Sequence, residues 1–305
     1  MKKYGYIVLF FLLQITTIKA SAVINFSQLT IEKNRDSTQK KINRLAWIGA
    51  GSYVGAMTLL GITWYGQDGM GKFHFFNDNK EWKQMDKLGH FYTTFHLTSA
   101  ITNGLENAGM KKEKALFWGA ASSSFMMLNI EVLDGFSEEY GASWGDFLAN
   151  TTGAFFSWGQ YKLWNEIRIH PKFSFYPSGL APLRPNLLGK TLAEQFIKDY
   201  NAQTYWYSID IDKFLPKTSK FPKWLNISAG YSAREMIFAE DNKNINAGFN
   251  PYRRFFLGLD WDLTAIKTNK KWVKKVLYVV NMFRLPAPTL EYNERGNWNW
   301  FWLYF

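Results

Sequence analysis

The chain has no cysteine among its 305 residues. We therefore expect no disulfide bonds, thiolate metal sites, catalytic thiols or lipid joined to an N-terminal cysteine. The sequence also lacks a glycine-rich phosphate loop, a Gly-x-Ser-x-Gly nucleophile elbow and a His-Glu-x-x-His zinc motif. These absences argue against the common hydrolases and nucleotide-dependent enzymes, without excluding an enzyme of another kind.

Aromatic and basic residues are abundant. The chain contains 14 Trp, 16 Tyr and 26 Phe, and its formal net charge is +11. Aromatic rings at this density are typical of proteins that meet a membrane interface, although a large soluble core is the alternative. The basic residues follow no nucleic-acid motif, so solvated faces and anionic lipid head groups explain them better than nucleic acid.

The N-terminus has the features of an export signal. Lys2 and Lys3 precede an apolar stretch at 4–15, and small residues allow cleavage after Ala20 or Ala22. The apolar stretch is too short for a comfortable membrane span, so a cleaved signal peptide at 1–20 is favoured over an uncleaved anchor. We expect an exported protein in the periplasm or at the periplasmic face of the outer membrane, with an integral membrane protein as the alternative.

Long apolar segments predict an α-helical first domain. After a polar lead-in at 21–43, a four-helix bundle is expected at 44–176. Its helices are predicted at 45–64, 85–105, 115–133 and 143–167.

The pattern changes in the region 177–305. Thr191–Tyr200 predicts one more amphipathic helix, and beyond it the apolar period becomes two, as in β-strands. Strands are predicted at 225–231, 255–263, 276–283 and 298–305. Four to six strands are too few for a free-standing barrel, so we favour an open sheet, with completion by the helical region or by another chain as alternatives. The fold class is α+β.

A set of polar residues lies within or at the ends of the apolar helices, where an unpaired charge costs several kcal/mol. Helical spacing places them as pairs on single faces, at i,i+3 or i,i+4. We call this set the polar cluster; it comprises Asp86, Lys87, His90, Glu131, Asp134, Ser143, Asp146 and Asn150.

The polar cluster has two interpretations. In the chemical one, His90 is a general base oriented by Asp86, and Glu131 or Asp134 is an acid or a ligand of a hard, oxygen-preferring cation. In the structural one, the cluster is a hydrogen-bond network between helices, with Ser143 and Asp146 as helix caps. The sequence identifies no cofactor and predicts no specific metal.

The order of these motifs resembles that of exported bacterial proteins labelled predicted periplasmic lipoproteins, domain of unknown function 2279. The motifs are Asp86-Lys87-x-x-His90-Phe91, Asp134-Gly135-Phe136 and Ser143-x-x-Asp146-x-x-x-Asn150. The sequence segments 198–201, 221–226 and 286–291 resemble segments of the longer members of that family. The label implies a lipidated cysteine, which this chain lacks, so we expect contact with a membrane through a protein surface, or a free periplasmic protein.

A more distant resemblance is to the VanZ-like membrane family, which also has an Asp-Lys-x-x-His-Phe motif before a glutamate-containing helix. The match continues through the Ser-x-x-Asp-x-x-x-Asn-x-x-Gly motif, which runs from Ser143 to Gly153. That family commonly has a glutamine where this chain has Asp134. The resemblance implies a shared helical core and no established mechanism.

The sequence thus predicts an exported, membrane-associated envelope protein whose polar cluster has a structural or binding role. The alternative is a membrane-proximal enzyme acting on a lipid or cell-wall precursor through His90 and the carboxylates of Asp86, Glu131 and Asp134. A third hypothesis is an outer-membrane β protein whose terminal strand, ending at Phe305, directs insertion into that membrane. The expected partners are membrane lipid or an envelope protein.

Overall fold

The computed structural model describes residues 33–61 and 71–305. The predicted signal peptide, the start of the lead-in and the predicted helix end at Trp64 lie outside the described residues. Contacts group the described residues into two compact units. The first unit contains the described residues up to Phe76 together with His96–Phe147, and the second contains Asn77–Phe95 together with Leu148–Phe305.

Four long helices form in the N-terminal half, as predicted. They are α1 (Lys33–Leu60), α2 (Met85–Asn107), α3 (Lys112–Phe136) and α4 (Trp144–Trp164). The first begins well inside the polar lead-in. Hydropathy missed this start because residues 33–44 are polar, yet they contain no glycine or proline and readily continue a helix.

The first unit buries apolar and small polar side chains together. Met57 and Leu133 form an apolar centre. A Cβ atom on Gly119 would lie 2.1 Å from Thr102 Oγ1, so the backbone of α3 approaches α2 closely. Nearby, the hydroxyls of Thr98 and Ser123 are 2.5 Å apart. Of the described helices, α3 is long and apolar enough to cross a membrane, a test that the core helix of a soluble protein also passes.

Four shorter helices occur in the second unit: α5 (Pro185–Leu188), α6 (Leu192–Lys198), α7 (Asp241–Asn246) and α8 (Lys271–Asn281). Helix α6 confirms the amphipathic helix predicted at 191–200, and Thr191 caps it by accepting a hydrogen bond from Glu194 N at 3.2 Å. The strand predicted at 276–283 is wrong, because most of that segment belongs to α8. Its valines suggested a strand, but its apolar residues recur at helical spacing and Asn281 fixes it to the sheet through Lys172.

The second unit contains a six-stranded antiparallel sheet in which each strand pairs with the next one along the chain. The strands are β1 (Ile169–Phe175), β2 (Gln203–Ile209), β3 (Leu225–Arg234), β4 (Tyr252–Trp261), β5 (Ala287–Asn293) and β6 (Trp298–Tyr304). Strands β3, β4 and β6 confirm three predictions, while β1, β2 and β5 were missed. The α+β fold class is confirmed, and among the described strands β1 and β6 are the edges of an open sheet.

One face of this sheet, which we call the inner face, buries charged side chains. Lys172 on β1 and Asp260 on β4 form an ion pair with 2.7 Å between Nζ and Oδ2. Arg254 and Glu291 pair at 2.5 Å on the neighbouring strands. The Arg284 guanidinium lies 3.9 Å from the centre of the Trp206 ring. The core of the sheet is therefore a polar network built around aromatic rings.

Candidate functional site

A left-handed turn at 82–84 leads into α2 and fixes where the first motif begins. Trp82, Lys83 and Gln84 have φ values of 47°, 51° and 65°, each of which costs a residue with a side chain roughly 1–3 kcal/mol. The surroundings hold the turn in place: Lys83 Nζ lies 2.6 Å from Asp241 Oδ2, and the Tyr231 hydroxyl donates to Lys83 O at 2.6 Å. The turn thus presents the first residues of α2 in one defined orientation.

Lys87 joins two carboxylates at the start of α2. Its Nζ lies 2.6 Å from Asp78 Oδ2 and 2.8 Å from Asp86 Oδ2. Oxygen atoms of the two carboxylates lie within 4.8 Å of each other. The second oxygen of Asp86, Oδ1, is buried and makes no hydrogen bond to the described residues. Burial raises the pKa of Asp86, and Asp78 adds to this rise while Lys87 and His90 oppose it.

Glu81 belongs to the same acidic group, which sequence reasoning missed. Burial, together with the charges of Asp78, Glu240 and Asp86, raises the pKa of Glu81 to about 7. A carboxyl group with this pKa exchanges protons near neutral pH, as general acids and bases do. Asp78 and Asp86 are close to Glu81 in the sequence, but burial, which is the largest cause of the raised pKa, and the charge of Glu240 depend on the fold.

His90 contacts Asn150 on α4. The distance from His90 Nδ1 to Asn150 Oδ1 is 3.2 Å, and the Thr94 hydroxyl lies 3.0 Å from the same amide oxygen. An amide oxygen can only accept, so this contact assigns a hydrogen to Nδ1 and leaves Nε2 without one in the neutral ring. The arrangement orients the imidazole as a positioned base requires, and it equally satisfies a buried hydrogen-bond network.

Glycines bring neighbouring elements close to this histidine. A Cβ atom on Gly153 would lie 2.4 Å from Phe91 O, so the last glycine of the predicted motif allows α4 to approach α2. A Cβ atom on Gly89 would lie 3.0 Å from the Tyr205 hydroxyl, which reaches in from β2. Burial raises the pKa of Tyr205, and the charge of Asp86 raises it further. Tyr205 is therefore a neutral neighbour of the acidic group.

The other half of the predicted cluster lies in the first unit. Ser143 caps α4, as predicted: its hydroxyl accepts from Asp146 N at 3.1 Å. The backbone nitrogen of Ser143 donates to Glu131 Oε2 at 3.4 Å. Asp134 lies in the last turn of α3, where its carbonyl oxygen accepts from Ser137 N at 3.0 Å. These contacts fit structural roles at the ends of two helices.

The polar cluster is therefore divided between the units. The second unit holds Asp86, Lys87, His90 and Asn150, and the first holds Glu131, Asp134, Ser143 and Asp146. The chemical and structural interpretations of the cluster both remain predictions.

A second buried carboxylate, at the end of β2, has every feature of a structural group. Asp210 Oδ2 lies 3.1 Å from His170 Nε2 and 2.6 Å from Lys213 Nζ, and Asp210 Oδ1 accepts from Asn226 Nδ2 at 2.5 Å. Burial alone would raise the pKa of Asp210, but the hydrogen bond and charge of His170, with Lys213, lower it to about 2. It contrasts with Asp86, whose pKa is raised.

Comparison with known families matches part of the chain. Residues 74–162 match the model of a family described as Predicted periplasmic lipoprotein (DUF2279). The matched range includes α2, α3 and most of α4 and ends before the sheet. No curated protein and no solved structure matches the chain, and the VanZ-like resemblance gains no support. The family match supports an exported, periplasmic protein, and it shows no enzymatic activity.

Proposed function

We propose that this chain is an exported envelope protein that rests on a membrane through the outer face of its C-terminal sheet. The single observation that carries the proposal is the polarity of that sheet. Its inner face buries charges, while its outer face exposes apolar side chains to solvent across β3 to β6 and is covered by α2 at Tyr205 and Tyr207 of β2. A membrane-facing sheet has this inverted arrangement, whereas a soluble one usually buries its apolar face.

The exposed apolar side chains form one continuous surface across β3, β4, β5 and β6. Strand pairing places Leu259 opposite Ile227, Phe255 opposite Tyr292, and Tyr292 opposite Trp298. We call this surface the outer patch; its exposed members are Ile227, Phe255, Leu257, Leu259, Tyr292, Trp298 and Trp300. Continuous patches of this kind mark interaction sites on proteins.

Lipid suits the outer patch because the patch combines aliphatic and aromatic side chains and has no charged member. Leu257 at its centre is 57% exposed, and Trp300 is 54% exposed. Tryptophan and tyrosine side chains prefer the boundary between hydrocarbon and head groups, where the ring is in apolar surroundings and its polar atom stays wet.

In this proposal the polar cluster orients helices and carries no reaction. The alternative, an enzyme acting on a lipid or cell-wall precursor, is favoured by one observation. Glu81, with a pKa of about 7, lies in the same group as the buried Asp86 Oδ1, which accepts no hydrogen bond from residues 33–61 and 71–305. The two proposals differ for His90→Gln. If the cluster is structural, this variant unfolds more easily, and if it is catalytic, the fold persists while processing of envelope lipid or precursor stops.

Flotation of the purified protein with phosphatidylcholine vesicles tests the membrane proposal. We expect wild type to float with the vesicles and Leu257→Asp to lose about 30-fold in partitioning, from about 1 kcal/mol of lost apolar contact and about 1 kcal/mol for the added charge. Leu192→Asp is the matched control, because Leu192 is 62% exposed but lies in α6, outside the patch.

Equal flotation of the two variants would contradict the proposal, as would recovery of wild type in the vesicle-free fraction. Fractionation of cells, with a carbonate wash and N-terminal sequencing of the mature chain, extends the test to the envelope. Recovery of a cleaved form in the outer-membrane fraction is the expected result.

A further inference from the structure

We infer that one end of the sheet carries a site for anionic lipid head groups, formed by α8 and the loop between β2 and β3. The inference rests on the proposed function, because it specifies which lipids the membrane-facing sheet recognises. Three features carry it: the orientation of α8, the distribution of charge between the two ends of the sheet, and the position of exposed tryptophans.

Helix α8 turns its apolar side away from the protein. Asn281 is buried, and its Oδ1 accepts from Lys172 Nζ at 3.1 Å and from Leu263 N at 3.0 Å. Helical spacing puts Trp272, Val276 and Val279 on the side opposite Asn281, and these side chains are 66%, 50% and 52% exposed. An amphipathic helix in a soluble protein has the reverse orientation.

Lysines border this exposed apolar side. Lys271 and Lys275 lie one turn apart beside Trp272, and both are exposed. A short helix with tryptophan and valine on one side and lysines on the other is suited to lie in the plane of a membrane interface, where the lysines meet phosphate groups.

The loop that joins β2 to β3 lies at the same end of the sheet as α8, because α8 connects β4 to β5 in the antiparallel order. This loop also exposes lysines, and its Trp224 stacks on Trp261 with 5.5 Å between ring centres. We call the exposed lysines of this loop, of α8 and of the connection that precedes α8 the basic rim; they are Lys217, Lys220, Lys223, Lys267, Lys270, Lys271, Lys274 and Lys275. None of them forms an ion pair with a carboxylate in the part of the chain that the structure describes.

Charge differs sharply between the two ends of the sheet. At the rim end, the segments 210–224 and 262–286 contain ten basic and three acidic residues. At the other end, the connections 176–202, 235–251 and 294–297 contain five basic and six acidic residues. Apolar contact with lipid does not account for this difference in charge between the two ends. Attraction between the lysines of the basic rim and anionic head groups does account for it.

The test is flotation with two kinds of vesicle, phosphatidylcholine alone and phosphatidylcholine mixed with phosphatidylglycerol. The variant is Lys271→Gln/Lys275→Gln. The matched control is Lys190→Gln/Lys243→Gln, which removes the same charge from exposed lysines at the opposite end of the sheet. Each lysine near an anionic surface contributes about fivefold to partitioning, so the rim variant should bind mixed vesicles about 10- to 30-fold more weakly than the control.

We expect wild type to prefer the mixed vesicles and this preference to weaken as salt is added. The rim variant should show a weaker preference, by the same 10- to 30-fold, while keeping wild-type binding to phosphatidylcholine. The inference is overturned if the rim variant and its control bind mixed vesicles equally, or if wild type binds both vesicles equally. The failure of the proposed function would look different. If Leu257→Asp bound mixed vesicles as wild type does while the rim variant bound them more weakly, the result would support the basic rim and reject the outer patch. Unchanged circular dichroism and thermal midpoints check that every variant is folded.

Discussion

Removing the charge of Lys172 should unfold the sheet more easily, because its partner would be left as a buried charge. The Lys172 and Asp260 side chains are 1% and 0% exposed. Lys172 Nζ donates hydrogen bonds to Trp261 O at 2.7 Å and to Asn281 Oδ1 at 3.1 Å, and it lies 2.7 Å from Asp260 Oδ2 as an ion pair. In Lys172→Met the apolar stem is kept, and we expect a loss of about 3–5 kcal/mol in the free energy of unfolding.

Removing both charges should be far less harmful. In Lys172→Met/Asp260→Leu neither charge of the pair remains, and replacing a buried ion pair by apolar side chains is often neutral. The buried Arg284 guanidinium loses the favourable charge of Asp260, which accounts for the part of the loss that is not recovered. We expect the double variant to recover most of the loss, to within about 1–2 kcal/mol of wild type, because Asn281 Oδ1 still accepts from Leu263 N. Lys223→Met, at an exposed lysine, serves as a control and should change the free energy by less than about 0.5 kcal/mol.

Urea unfolding in mild detergent, followed by tryptophan fluorescence, measures these differences, and fitting midpoint and slope separately shows whether the denatured state has changed. A single variant within about 1 kcal/mol of wild type would refute the reasoning, since a buried, unpaired carboxylate should cost more than that. A double variant no more stable than the single one would refute it too.

Three further predictions concern titration and packing. The pKa of Asp210 is lowered to about 2, so its contribution to the free energy of unfolding is complete above about pH 4 and is lost as the pH falls towards 2. In Asp210→Asn, the free energy of unfolding should lack this acid-dependent part, which is about 2–3 kcal/mol, when unfolding is measured as a function of pH. The pKa of Glu81 is raised to about 7, so its contribution to the free energy of unfolding is complete below about pH 4.5 and is lost as the pH rises through 7. Over that range wild type should lose on the order of 1 kcal/mol of stability relative to Glu81→Gln, after allowance for solvent screening. A Cβ on Gly230 would lie 2.4 Å from the Trp206 ring, so Gly230→Ala should lower the free energy of unfolding by about 1–3 kcal/mol, whereas an unchanged thermal midpoint would show that the ring can move.

The helical half was predictable because its signals are local. Long apolar runs predicted the four helices, and the Ser143 to Asp146 spacing predicted a cap that the structure contains. The i,i+4 spacing alone could not show that His90 meets Asn150, because that contact depends on how α2 approaches α4 at Gly153. The raised pKa of Glu81 was not predictable either, because its largest cause is burial, which depends on the fold.

The sheet was harder to predict because its polarity is inverted. Alternation along β4 predicted a strand but could not say which face is buried, and the usual rule would have buried Leu257 rather than Asp260. Strand β1 was missed because Pro171 and Lys172 are rare in the middle of a strand, and they are tolerated here at an edge strand with a buried ion pair. In α8, valines with high strand propensity were outweighed by the tertiary contact of Asn281.

The order of the strands has a consequence for how the chain folds after export. Each strand pairs with its neighbour in sequence, so every hairpin can close as soon as its second strand is available, and such local pairing favours fast folding. The charged contacts inside the sheet join residues that are far apart in the chain. Lys172 on β1 pairs with Asp260 on β4, and Arg284 donates to the carbonyl oxygen of Tyr304 near the end of the chain. Because burying an unpaired charge costs several kcal/mol, we expect these charged side chains to remain hydrated until their partners are in place, so that the inner face of the sheet loses its water last.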